Sequence, residues 1–118
     1  MTKAEIFKQI EDIGIIPAVR TSSAEDALFA SRAVFNGGIP IVEITMTIPG
    51  AVEVISELVR TVPDAIVGAG TVLDVDTAQR CLSAGASFLT STGLDLELVD
   101  FSLKHEIPII PGVLTPRR

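Results

Sequence analysis

Short β-branched runs recur every 20-odd residues along this chain, and that repeat limits the folds open to it. The runs read Ile15-Ile16-Pro17-Ala18-Val19, Ile41-Val42-Glu43-Ile44-Thr45, Ala65-Ile66-Val67-Gly68-Ala69, Ser87-Phe88-Leu89-Thr90 and Ile107-Pro108-Ile109-Ile110. Each has the length and composition of a strand. Between them, apolar residues fall three and four apart, as in Ala27, Leu28, Ala30, Val34 and Phe35, and again in Val52, Ile55, Leu58 and Val59. That spacing predicts helices with one buried face. Start signals agree: Ser22 with Glu25 has capping-box spacing, and Asp74 and Asp95 stand where caps for later helices belong. Gly37-Gly38, Pro63 and Gly85 supply the stops. A further helix over Lys3 to Ile13 ends at Gly14.

Alternating strand and helix means a parallel sheet with right-handed crossovers. The fold class is therefore α/β, with five strands and four connecting helices in a single domain over residues 1–118 and no linker dividing them. Two closures of the repeat are open: a doubly wound sheet, or part of an eight-unit barrel. The central strands of an open parallel sheet are apolar on both faces. The second run instead reads Val42, Ile44, Met46 on one face and Glu43, Thr45, Thr47 on the other. A Glu and two Thr suit a barrel lumen near its C-terminal mouth, and Arg20 and Thr71 also fall at C-terminal strand ends.

Composition removes several function classes. No apolar run approaches the 18 residues a membrane span requires. The start, Met1-Thr2-Lys3-Ala4-Glu5, lacks a signal-peptide pattern. The single cysteine, Cys81, excludes an internal disulfide framework and fits a reducing, cytoplasmic compartment. A formal net charge of −6 with no Trp or Tyr argues against nucleic acid as partner.

Glu43 is the sharpest candidate, because a charge inside a strand is costly without a partner. It reads equally as a general acid/base or as half of a structural ion pair with Arg20. Arg20 ends the first strand, where its planar fork suits a carboxylate or phosphate. Thr45, Thr47 and Thr71 can hydrogen-bond a substrate, although each is also an ordinary strand residue. Gly68-Ala69-Gly70 matches neither a dinucleotide fingerprint nor a P-loop; close backbone approach is the better reason for it. Pro111-Gly112 marks a strand end where a ligand or a turn needs room. His105 reads as a helix-end dipole contact and Cys81 as a buried hydrophobe, so no metal site is expected. Ser91 lacks the glycine elbow of a hydrolase. The lysines, Lys3, Lys8 and Lys104, all belong to helices, and none is placed for the desolvated pocket that imine chemistry needs.

Four segments together resemble the 2-keto-3-deoxy-6-phosphogluconate / 4-hydroxy-2-oxoglutarate aldolases. They are Ile16-Pro17-Ala18-Val19-Arg20, Gly37 through Thr45, Ile66 through Val72, and Ile109-Ile110-Pro111-Gly112-Val113-Leu114-Thr115-Pro116. The resemblance covers the N-terminal portion of such a barrel, nearly end to end in this chain. It implies a class I aldolase on a TIM (β/α)8 barrel, assembled as a trimer and using neither metal nor cofactor. Such a carbon–carbon lyase of Entner–Doudoroff carbohydrate metabolism cleaves a keto acid to pyruvate and an aldehyde through a lysine imine. Glu43 falls on the family's proton-shuttling glutamate. Three departures accompany it. Thr47 stands where some members carry an arginine for the substrate carboxylate, a role that passes to Arg20. Ser91-Thr92 replaces the common Ser-Pro. The chain stops at Arg117-Arg118, before the strand that bears the imine lysine and before the phosphate-binding loops. A barrel of this type needs roughly 200–250 residues, so the expectation is a barrel truncated after about the fifth strand and inactive alone. The alternatives are a half-barrel that self-associates or complements another fragment, and an open-sheet domain that binds a small anion.

Overall fold

The computed structural model describes residues 1–115. Its elements run α1 (Lys3–Ile13), β1 (Ala18–Val19), α2 (Ala24–Asn36), β2 (Ile41–Thr45), α3 (Ala51–Thr61), β3 (Ile66–Gly70), α4 (Val75–Ser83), β4 (Leu89–Thr90), α5 (Leu96–Lys104) and β5 (Ile109–Ile110). All strand pairs are parallel, and the spatial order is β1-β2-β3-β4-β5, the same as the chain order. That order decides between the two closures. A doubly wound sheet reverses its strand order at a switch point, and this one does not. Right-handed crossovers repeated in one direction leave the connecting helices on one face, as the barrel expectation requires.

Packing confirms the asymmetry. Val19, Val42, Ile44, Val67, Ala69 and Leu89 point to the helix layer and join one core with residues of α2 to α5. The alternate residues Ile41, Ile66 and Phe88 form a second cluster on the opposite face. Ile10 and Ile13 of α1 pack against this second cluster, with Ile16 and Ile39. The N-terminal helix thus closes the lower end of a face that the other helices leave open. The open-sheet expectation, with helices on both faces, is not met.

Local signals account for most boundaries. Thr2 and Glu5 form a reciprocal capping box on α1, and Gly14 closes that helix at φ 79°. Asp74 Oδ1 accepts the Thr77 N–H at 2.7 Å, and this bond holds the Asp74 carboxyl below its ordinary value. Asp95 accepts N–H groups from Glu97 and Leu98. The cap of α2 is Ser23, whose Oγ accepts the Asp26 N–H at 3.1 Å, and not Ser22. Ser22/Glu25 and Ser23/Asp26 offer the same spacing one residue apart, and the chain uses the second pair. The outer strands are shorter than the apolar runs because Pro17 and Pro108 have no N–H to donate; each contributes only its carbonyl, to Glu43 N and Leu89 N. β2 ends at Thr45, so Met46 and Thr47 lie in the turn beyond it. Among the described residues, no helix is long and apolar enough to cross a membrane.

Cys81 is fully buried on α4, its Sγ 3.5 Å from Met46 Sδ, as expected of a small core hydrophobe. Burial pushes its thiol up to about 11 from 9.0. A folded value above the unfolded one stabilises the fold fully below pH 9 and loses that contribution as pH rises through about 11. Folded chain at pH 8 should therefore label slowly with a thiol reagent and rapidly once urea unfolds it. Equal rates in both states would place Cys81 outside the core.

Candidate active site

The face free of connecting helices is shaped by two absent side chains. Gly68 and Gly70 occupy successive positions of β3 on that face, and neither leaves room for a Cβ. A Cβ on Gly68 would overlap the Phe88 ring; one on Gly70 would overlap the Glu43 carboxylate. The Gly-Ala-Gly run thus serves close approach, by side chains of the neighbouring strands. Phe88 lies over Gly68 and completes an apolar floor with Ile41 and Ile66. Glu43 leans over Gly70, one register step nearer the C-terminal ends of the strands.

This lean carries Glu43 across the whole width of β3. Its Oε1 accepts a hydrogen bond from Thr90 Oγ1 of β4 at 2.8 Å. Among the described residues no ion pair involves Glu43 or Arg20, so the Arg20–Glu43 pair is not formed. Register explains why: Ala18 stands opposite Glu43, and Arg20 lies two residues further on, past the end of β1 and exposed. Glu43 is a half-buried carboxylate with one neutral donor, Thr90, beside the bare Gly70 and above the apolar floor.

The other candidates fall at the same end of the sheet, with differing roles. Thr45 is fully buried on β2, on the Glu43 side by alternation, and its Oγ1 has no hydrogen-bond partner. A buried orphan hydroxyl is costly and calls for a missing donor or acceptor. Thr71 follows Gly70 directly and holds φ 56°. For a β-branched residue that conformation costs about 1–3 kcal/mol and concentrates at functional loops. Thr47 is exposed in the turn after β2. Pro111 and Gly112 are half-buried after β5, and a Cβ on Gly112 would strike the Thr92 carbonyl. The room there serves passage of the β4–α5 loop. That loop, with Val72 and Leu73 after β3, borders an open cavity of about 200 Å³. Pro116 of the Thr115-Pro116 motif, with Arg117 and Arg118, lies outside the described residues.

The remaining groups stand apart. Ser91 Oγ donates within its own loop to the Gly93 carbonyl at 2.8 Å. His105 caps α5, with Nδ1 2.9 Å from the Phe101 carbonyl. Lys8 pairs with Asp12 on the outside of α1, and Lys104 is exposed at the end of α5. Among the described residues no group of three or more His, Cys, Asp or Glu could hold a metal. Thr90 is the residue that sequence reasoning missed. It ends an apolar run like any strand threonine, and only the gap at Gly70 connects it to Glu43.

The model of the aldolase family described as KDPG and KHG aldolase matches residues 6–118. A 2-dehydro-3-deoxy-phosphogluconate aldolase of Treponema pallidum is 40% identical over 108 residues, which is 92% of this chain and 51% of that protein. A KHG/KDPG aldolase of Escherichia coli is 36% identical over 101 residues, 86% of this chain and 47% of that protein. The chain thus spans about half the length of the curated relatives it matches. Among solved structures, a KDPG aldolase of Legionella pneumophila superposes with TM-score 0.78 at 40% identity, over 85% of this chain and 48% of that one. Its crystal holds pyruvate captured at low pH as a covalent carbinolamine intermediate.

Proposed function

Because the chain belongs to the KDPG and KHG aldolase family, we propose that it carries the acid/base half of a class I aldolase site. The reaction is retro-aldol cleavage of 2-keto-3-deoxy-6-phosphogluconate, or of 4-hydroxy-2-oxoglutarate, to pyruvate and an aldehyde. The observation that supports this most is the Glu43 carboxylate, extended over Gly70 to Thr90 on the face free of connecting helices. Residues 1–118 act as one domain. In the reaction, an amine adds to the keto carbon and water leaves; Glu43 delivers and recovers the protons of those steps. Arg20 meets the substrate carboxylate from beyond the end of β1, Thr45 donates from the end of β2 and Thr71 from just after β3, and Thr47, Pro111 and Gly112 border the mouth. The working assembly is a cytoplasmic homotrimer.

The amine must come from outside these 118 residues, since the three lysines stand on α1 and α5 and none on a strand. The isolated chain is therefore inactive. Incubation with pyruvate and borohydride should leave it unmodified. Addition of the C-terminal half of the Treponema pallidum relative should produce one trapped adduct, on that half, together with turnover. A stoichiometric adduct on Lys3, Lys8 or Lys104 of the isolated chain would overturn the assignment, as would a reconstituted mixture with no turnover.

A second reading is a non-catalytic half-barrel that associates with itself. It is favoured by apolar side chains left open at the periphery: Phe29 on α2 is 78% exposed and Leu103 on α5 56%. Sedimentation separates the readings. A dimer that persists when the second half is added favours self-association; a one-to-one complex favours the aldolase.

A further inference from the structure

We propose that Thr90 is the positioning residue of Glu43, holding one carboxylate oxygen so that the other exchanges the proton. The inference rests on the catalytic reading of Glu43 and adds a residue that reading does not contain. Three observations carry it. First, Glu43 and Thr90 lie on strands that are not neighbours: β3 runs between them. A hydrogen bond over that distance exists only because Gly70, the β3 residue beside Thr45, has no side chain. Second, the register places Thr90 level with Gly70 and Glu43 level with Gly68, since Ala69 pairs with Leu89 and Glu43 with Gly68. The bond therefore tilts Glu43 toward the C-terminal ends of the strands, the side on which barrels carry their chemistry. Among the described residues, the Glu43 side chain has no other hydrogen-bond or ion-pair partner to hold that tilt.

Third, the two oxygens of Glu43 are not equivalent. Oε1 is occupied by the Thr90 hydroxyl at 2.8 Å, and Oε2 is the atom nearest the place a Cβ on Gly70 would take. A hydroxyl has one proton to donate. Once it is given to Oε1, the carboxyl plane is fixed and Oε2 remains to accept and return a proton. Correct placement of a catalytic group within tenths of an ångström matters, because a displacement of about 1 Å can cost about 100-fold in rate.

The test uses the chain reconstituted with the C-terminal half of the Treponema pallidum relative. Thr90→Val keeps the shape and removes the donor; Thr90→Ser keeps the donor. Thr90→Val is expected to lower kcat about 10- to 100-fold with KM within about twofold, and Thr90→Ser to remain within about threefold of the parent. In a Glu43→Gln background, Thr90→Val should add less than about threefold, because the two residues act as a unit. A purely structural hydrogen bond would lower the melting temperature of Thr90→Val without this split between kcat and KM. Parental kcat in Thr90→Val alongside a crippled Glu43→Gln overturns the inference and leaves the catalytic reading standing. Parental kcat in Glu43→Gln, or no turnover in any reconstituted chain, overturns the catalytic reading and the role of Thr90 with it.

Discussion

Phe88→Ala is expected to destabilise the fold by about 3–5 kcal/mol, the range for truncating a fully buried phenylalanine. The ring is completely buried, and it is the largest member of the floor that joins Ile41 and Ile66 to α1. Small domains hold only about 5–15 kcal/mol in total, so the loss should appear as a large fall in the urea midpoint. Circular dichroism is the probe of choice, since the chain has no Trp or Tyr. The partner substitution makes the claim specific. Gly68→Ala brings a Cβ into the ring and should cost about 1–3 kcal/mol in the parent chain. In the Phe88→Ala background that cost should vanish or reverse, because the space is then free, with a coupling on the order of 1 kcal/mol or more. Additive costs would mean that ring and glycine do not share the space.

Glu43→Gln is expected to lower turnover of the reconstituted aldolase by about 10²–10⁴-fold, the usual contribution of a general acid/base. The amide keeps the length of the side chain, its place over Gly70 and a carbonyl oxygen for the Thr90 hydroxyl. Stability should therefore change little, and the effect should fall on kcat. A melting temperature that drops with activity would indicate a folding role instead. Pyruvate trapping in the same variant separates proton transfer from assembly: a slow but complete adduct means the halves still dock and only the proton steps suffer.

Much of this molecule is legible one residue at a time. Helix ends are local events, so Gly14, Asp74, Asp95 and Gly37 could be read from their neighbours alone. The one slip, Ser22 for Ser23, arose where two identical caps lie adjacent and packing selects between them. Strand lengths were overestimated at both edges because apolar character continues through Pro17 and Pro108, where the hydrogen-bond ladder cannot. Glu43 stood out because a charge breaks an apolar alternation, and that signal also is local. Its partner was not legible. Arg20 is the obvious counter-charge in the sequence, yet strand register sets Ala18 opposite the carboxylate and leaves Arg20 beyond the strand end.

What the amino-acid sequence determined by itself is the repeating βα unit, the polar character of one face and the position of its glutamate. These follow from periodicity and propensity, which act over a few residues. What only the tertiary structure decided is which groups meet on that face. Strand order placed β3 between β2 and β4, and register set Gly70 level with Thr90. The absent side chain at Gly70 then let Glu43 reach a donor 47 positions away. Contacts of that kind depend on the alignment of three strands at once, and no local pattern of residues encodes such an alignment.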